Sequence, residues 1–112
     1  MSGRMVRVSE EMKEVIAAEI IQLKDPRIGF VTITHVDVSP DLRHAVVWYS
    51  VYGDDKAKRG TRAGLRSSKS RLRQVLGQKV RVKYTPDLQF KEDIGLENLQ
   101  RVDEVLKEST DE

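Results

Sequence analysis

Lysine and arginine are the residues of this chain whose number and spacing most clearly indicate a function. Residues 56–83 hold 11 of the 20 Lys and Arg in the sequence, and no Asp or Glu interrupts them. Positive charge that is not relieved by acidic neighbours opposes compaction and attracts a polyanion. Many charge runs are only the solvated face of a helix, but the length and single sign of this one favour contact with nucleic-acid phosphates.

The candidate RNA-binding residues are cations of this stretch, together with three arginines nearer the N-terminus. They are Arg4, Arg7, Arg27, Arg62, Arg66, Lys69, Arg71, Arg73, Lys79, Arg81 and Lys83. Phosphate contacts supply affinity and positioning but read little sequence, so specificity should come from the shape of folded RNA. For any single member, a surface charge without consequence is the alternative.

Residue sets typical of catalysis or metal binding are not evident. His35 and His44 fall on neighbouring predicted strands and could face each other across a hairpin, but no third metal ligand accompanies them. The sequence lacks Cys, which excludes disulfides, thiolate metal sites and thiol catalysis. Acidic residues near the predicted turns are expected to form turns and caps, with a cation site as the alternative; they are Asp37, Asp41, Asp54 and Asp55. Asp25 is expected to orient neighbouring backbone, with Arg27 as a possible charge partner. We expect no enzymatic activity, no cofactor and no metal, and a small nuclease using these acids is the alternative.

Length and composition predict one small domain with a large wet surface. At 112 residues the chain can bury roughly two-thirds of its unfolded surface, while 38% of its residues are hydrophobic and 34% charged. From Asp87 onward the sequence has nine Asp and Glu but only three Lys and Arg. We therefore expect an RNA-binding domain over residues 1–93 and an acidic, partly helical tail over residues 94–112. No apolar run reaches the length of a membrane span and no signal-peptide core is evident, which predicts a cytoplasmic protein. We take a monomer as the default oligomeric state.

Hydrophobic periodicity predicts the elements that position the basic residues. Residues 1–8 are expected to form an arm, either solvated or touching phosphate, before Ser9 caps a helix. The apolar stripe of that helix comprises Met12, Val15, Ile16, Ile20 and Leu23. Strands are predicted at residues 30–38 and 43–52, and both faces of the second are apolar or aromatic, as in a central strand. Its Trp48, Tyr49 and Tyr52 are expected in the core, with base stacking as the alternative.

The second half of the chain predicts two helices and a third strand. Between Asp55 and Gln78 the helical periodicity is interrupted at Ser68–Ser70, where serine side chains compete for backbone hydrogen bonds. We expect two helices meeting there, with Gly77 ending the second. Alternation over residues 80–85 predicts a strand with a basic face that carries Arg81 and Lys83, and Pro86 should end it. A short acidic helix with a stripe of Leu96, Leu99, Val102 and Leu106 should follow.

The predicted order, helix–strand–strand–helix–kink–helix–strand, resembles a type II KH domain, an α+β fold with a three-stranded sheet covered on one side by helices. Six motifs, in order from about Arg4 to Leu106, resemble the ribosome-binding factor A family of bacteria. They are Arg4 with Arg7-Val8, Asp25-Pro26-Arg27, Val31-Thr32-Ile33-Thr34, Val38-Ser39-Pro40-Asp41-Leu42, Leu72-Arg73, and Pro86-Asp87-Leu88-Gln89-Phe90 followed by Asp93.

The resemblance implies a non-enzymatic assembly factor that binds the free 30S subunit and its 16S rRNA late in maturation and supports growth in the cold. The alternative is a permanent ribosomal or nucleoid structural protein. The chain lacks the Gly-x-x-Gly loop with which ordinary KH domains clamp single strands. The family has an Ala-x-Gly kink instead, and the matching positions here are Ser68-Lys69-Ser70, so serine must make the kink without glycine.

Overall fold

The computed structural model describes residues 3–94, which form three helices and three strands. Their order is α1 (Gly3–Gln22), β1 (Phe30–Val38), β2 (His44–Tyr52), α2 (Asp55–Ser67), α3 (Lys69–Lys79) and β3 (Asp87–Glu92). The predicted fold class and element order are thus confirmed. The predicted acidic tail helix lies outside the described residues.

The sheet has the strand order β1-β2-β3, with β1 antiparallel and β3 parallel to the central β2. Ala45, Val47 and Tyr49 of β2 point to the covered face and are buried. On the other face Trp48 is half-buried and Tyr52 is 87% exposed. The core expectation therefore holds for Tyr49 and is wrong for Tyr52, since alternate residues of a strand lie on opposite faces.

The helices bury their apolar stripes against the covered face of the sheet. Met12, Ile16 and Ile20 of α1 are buried, as predicted, and Val15 and Leu23 pack at the edge of the same cluster. The core is completed by residues of all three strands, of α2 and α3, and by Val80 directly after α3; these are Ile33, Val36, Ala45, Val47, Tyr49, Leu65, Leu72, Leu76, Val80 and Leu88. All three helices and all three strands contribute to this one core, which therefore fixes the orientation of the helices that carry the basic residues.

The N-terminal arm predicted for residues 1–8 is wrong for the described part, because α1 begins at Gly3 and Ser9 lies inside the helix. Val8 packs against the core one helical turn before Met12, so the apolar stripe begins earlier than the sequence suggested. Ser9 is half-buried within the helix, where serine lowers helix stability only slightly. The packing of Val8 outweighs the preference of Ser9 for a capping position.

The third strand was predicted at residues 80–85, but these residues form a loop and β3 begins at Asp87. The carbonyl oxygens of Thr85 and Pro86 accept hydrogen bonds from Arg73, 3.2 Å from Nη2 and 3.0 Å from Nε, instead of from a neighbouring strand. Arg81 and Lys83 thus lie on a loop, and Pro86 precedes the strand that it was expected to end. Gly77 does not end α3, which continues to Lys79.

The predicted kink between α2 and α3 is confirmed at Ser68. Its hydroxyl donates to the carbonyl oxygen of Gly64 at 2.8 Å, and its N–H also points at the carbonyls of Gly64 and Leu65. Hydrogen bonding of a serine side chain to the carbonyl four residues earlier bends helices. Ser68 is buried, so the kink is fixed by local hydrogen bonds and packing without glycine at this position.

Gly64 allows α2 to approach the loop of residues 25–29. A Cβ at this position would lie 2.5 Å from Cγ1 of Ile28. We expect Gly64→Ala to lower the free energy of unfolding by about 1–3 kcal/mol through overpacking, measured by urea denaturation.

Gly3→Ala is the matched control, because a Cβ at Gly3 meets nothing within 4 Å. That variant should unfold as the wild type does or at slightly higher urea, since alanine favours a helix. Equal stability of the Gly64→Ala variant and the wild type would contradict the close packing described.

Candidate nucleic-acid interface

The exposed side of α2 carries a row of three arginines. Arg59, Arg62 and Arg66 are separated by three and four residues, which places them on one face of the helix over about 10 Å. All three are exposed, and within residues 3–94 none of them makes an ion pair or a side-chain hydrogen bond. We call these three residues the ridge, and their guanidinium groups are available to a polyanion.

The ridge leads into a groove beside the kink. This kink groove has a volume of about 180 Å³ and is lined by Arg62, Arg66, Lys69, Gln89 and Phe90. It therefore brings together three predicted RNA-binding residues with one amide and one aromatic side chain from β3. Cations around a concave surface suit a phosphate backbone, while the amide can hydrogen-bond to a sugar or base.

A larger cleft lies at the other end of the ridge. This loop cleft has a volume of about 640 Å³ and is lined by Pro26, Arg27, Asp54, Lys56, Ala57, Arg59 and Gly60. It includes one predicted RNA-binding residue, Arg27, and adds Lys56 and Arg59. Those two cations belong to the basic stretch but were missing from the predicted site; the spacing of Arg59 with Arg62 and Arg66 is the signal that could have found Arg59.

Two small residues of α2 hold the loop of residues 25–29 in place. The Thr61 hydroxyl accepts a hydrogen bond from the Gly29 N–H at 3.1 Å, and Thr61 is fully buried. At Gly60 a Cβ would lie 2.9 Å from the carbonyl oxygen of Arg27. The position of Arg27 relative to the ridge is thus set by backbone packing.

Asp25 fixes the side chain of Arg27. The carboxylate accepts from Nη2 at 2.7 Å, from Nε at 3.0 Å and from the Arg27 backbone N–H at 2.9 Å. These side-chain and backbone hydrogen bonds hold the pKa of Asp25 below its ordinary value, and the pair raises the pKa of Arg27. Asp41 has the same capping role that was predicted for it, since hydrogen bonds from the Ser39 hydroxyl and the Arg43 N–H lower its pKa.

Arg71 and Arg73 already have protein partners. The Arg71 Nε lies 3.1 Å from Oε1 of the buried Glu19, which ties α3 to α1, and Arg73 holds the loop before β3. A carboxylate as buried as Glu19 needs a partner, so this ion pair contributes to the fold. RNA contact by these two arginines stays a prediction, but the structure gives each of them a structural task.

The remaining predicted cations lie outside the ridge. Arg4 and Arg7 are exposed on the first turns of α1, and Lys79 is exposed at the last residue of α3. Arg81 and Lys83 are exposed on the loop before β3. Lys83 and Arg43 stand over the Tyr84 ring, with Nζ 5.4 Å and Cζ 4.4 Å from its centroid. Arg43 was not among the predicted site residues.

The histidines do not face each other, contrary to the prediction. His35 pairs across the hairpin with Trp48, and its Nε2 lies 2.6 Å from Oδ1 of Asp37, whose other oxygen accepts from the Trp48 indole N–H at 3.2 Å. Within residues 3–94, no group of three or more His, Cys, Asp or Glu is arranged to hold a metal ion. None of the helices in this range is long and apolar enough to cross a membrane.

The fold and the kinked pair of helices define a type II KH-like domain in which the Ser68 kink stands where ordinary KH domains have a Gly-x-x-Gly loop. Residues 4–106 match the family model described as ribosome-binding factor A. A relative of that name from Geobacter sulfurreducens is 43% identical over 109 residues, which cover 96% of this chain and 92% of the relative. The chain belongs to the ribosome-binding factor A family.

Two structures of the same family show a similar fold. The crystal structure of ribosome-binding factor A from Thermus thermophilus has a TM-score of 0.71 and 26% identity, and the match covers 79% of this chain and 94% of that chain. A homology model of the Thermus thermophilus factor, fitted into a cryo-EM map of its complex with 30S, has a TM-score of 0.63 and 28% identity over 74% of this chain and 88% of that chain. The family membership and fold predicted from the motifs are both confirmed.

The lowered pKa of Asp25 has a consequence for stability in acid. The ionised carboxylate stabilises the folded state at neutral pH, and this contribution is lost as the pH falls below the ordinary carboxyl value of about 3.9 and through the lowered pKa. We expect Asp25→Asn to have a lower Tm than the wild type at neutral pH. The difference should narrow as the pH falls below about 3.9, because the wild type then loses the same ion pair. A Tm difference that stays constant down to low pH would contradict this assignment.

Proposed function

We propose that this protein is an assembly factor that binds the small ribosomal subunit through its 16S rRNA during late maturation of the subunit. The observation that carries the proposal is the ridge, three exposed arginines in a row whose guanidinium groups are not used by the described part of the protein. The Thermus thermophilus factor in complex with 30S supports it, since that factor shares the fold of this chain. Such a role implies a cytoplasmic protein that takes part in rRNA processing and cold adaptation.

The charge distribution of the described residues supports the same proposal. Residues 3–94 carry 18 Lys and Arg against 12 Asp and Glu, and residues 56–83, which include α2, the kink and α3, hold 11 of these cations and no acid. Phosphate contact releases condensed counterions, so binding through the ridge should weaken as the salt concentration rises. Shape and positioning of folded rRNA would then provide the specificity, since ridge cations read no bases.

The proposal takes the protein to act by binding and not by catalysis. Three of the turn carboxylates are engaged in other tasks: Asp25 holds Arg27, Asp41 accepts from Ser39 and Arg43, and Asp54 caps α2 by accepting from the Ala57 N–H at 2.8 Å. We expect labelled RNA incubated with the pure protein and magnesium to stay intact. Cleavage that co-purifies with the protein and is lost in an Asp54→Asn variant would contradict this part of the proposal.

Replacing Arg62 and Arg66 together by glutamine tests the ridge. We expect the double variant to bind purified 30S subunits at least roughly tenfold more weakly, measured by co-sedimentation across a salt series. The plot of log affinity against log salt should become shallower by about 1.4–1.8, because two phosphate contacts are lost. The Tm should change little, since both side chains are exposed.

The control replaces Arg71 and Arg73 by glutamine, which removes the same charge from the neighbouring helix. This variant should lose stability, because Glu19 and the Thr85 and Pro86 carbonyls lose their partners. If Arg71 and Arg73 act within the fold, it should also keep the salt slope of the wild type. Equal loss of binding in both double variants would mean that Arg71 and Arg73 contact RNA as well or that only net charge matters, and the ridge would then have no special role. Equal occupancy of 30S and 70S particles through a high-salt wash would favour a permanent structural component instead.

A further inference from the structure

Arg27 presents a flat guanidinium whose plane is fixed in advance. Two parallel hydrogen bonds to Asp25, through Nε and Nη2, orient the group edge-on to the carboxylate, while the Arg27 side chain remains 49% exposed. An arginine held along one edge keeps its two faces available for stacking, and its rotamer freedom is lost before any ligand arrives.

The loop cleft around Arg27 is poorly suited to a phosphate alone. Asp25 neutralises much of the charge of Arg27, and Asp54 places a carboxylate in the lining of the cleft. The lining also includes Pro26, Ala57 and Gly60, which offer small apolar surfaces. A nucleobase fits these features better, since it is flat, largely apolar on its faces, and carries amino groups that can donate to a carboxylate.

The cations of the cleft suit the phosphates on either side of such a base. Lys56 lines the cleft, and Arg59 belongs both to the cleft and to the ridge. A strand whose phosphates follow the ridge would therefore enter the loop cleft at Arg59. The cleft volume of about 640 Å³ leaves room for a nucleotide and its hydration.

We propose that the loop cleft binds an unpaired nucleobase of the RNA, stacked on the guanidinium plane of Arg27, while Arg59 contacts the adjoining phosphate. This inference rests on the proposed function for the source of the RNA. Arg27 then makes the protein prefer RNA with an unpaired base over RNA without one, a preference that phosphate contacts of the ridge cannot provide. Asp25 is a positioning residue that acts through Arg27.

The test compares two single-stranded RNA oligomers of about eight nucleotides, a length within the usual site size for single-strand binding. One is oligoadenylate and the other has the same backbone without bases. The wild type should bind oligoadenylate more tightly by roughly 5- to 100-fold, which corresponds to stacking of one base. Arg27→Lys keeps the charge but not the plane, so it should reduce this preference as much as Arg27→Ala does.

Asp25→Asn separates base stacking from phosphate binding. If Arg27 stacks on a base, removal of the carboxylate that orients it should weaken oligoadenylate binding. If Arg27 binds phosphate, the same variant should bind both oligomers more tightly because a neutralising charge is gone. Asp41→Asn is the control, since Asp41 is also a turn carboxylate with a lowered pKa, but its hydrogen bonds come from Ser39 and Arg43 and not from Arg27; it should behave as the wild type does.

Two outcomes would overturn the inference: equal affinity of the wild type for the two oligomers, or an unchanged base preference in Arg27→Lys. A direct readout comes from the Arg27 Nε–H resonance in arginine-labelled protein, which should shift upfield under a stacked adenine ring and change little if a phosphate binds elsewhere on the guanidinium, because Nε already donates to Asp25. These measurements use oligomers alone, so they are independent of 30S co-sedimentation. If the wild type prefers oligoadenylate to the baseless oligomer but does not co-sediment with 30S subunits, only the proposed function is overturned.

Discussion

The close approach of the loop at residues 25–29 to α2 is the constraint on which the functional surface depends. One side of α2 has no bulky side chains, because it carries Gly60, Thr61 and Gly64. The loop packs against this side through Arg27, Ile28 and the Gly29 N–H. That contact turns the opposite side of α2, with its arginines, towards solvent. Small residues and cations alternate in the sequence at helical spacing, so one helix both anchors the loop and presents charge.

The basic residues of the chain divide into two groups according to whether the protein itself uses them. Arg71 and Arg73 complete the fold, one by satisfying the buried Glu19 and the other by holding the carbonyls before β3. Arg59, Arg62 and Arg66 have no such task within residues 3–94. Arg71 and Arg73 already use one and two of their five donors within the protein, whereas the ridge cations use none within residues 3–94.

Local patterns were enough to predict the fold class, the element order, the bounds of β1, and the kink at Ser68, since each depends on residues near in sequence. The third strand could not be placed, because alternation over residues 80–85 is what a strand would show, and only Arg73 reaching across from α3 decides otherwise. Likewise, the partner of Arg71 lies 52 residues away on another helix. The sequence could therefore indicate that the region is basic but not which cations are free to bind RNA.

Photo-crosslinking of the protein to 30S subunits whose rRNA contains 4-thiouridine, followed by mass spectrometry of the linked peptides, would locate the RNA on the protein surface. We expect crosslinks from α2 and the kink, residues 56–69, and from the loop at residues 25–29, with few from the open face of the sheet around Trp48 and Tyr52. Crosslinks concentrated on that open face, with α2 unlabelled, would show that the RNA lies on the other side of the molecule and that the ridge is not its binding surface.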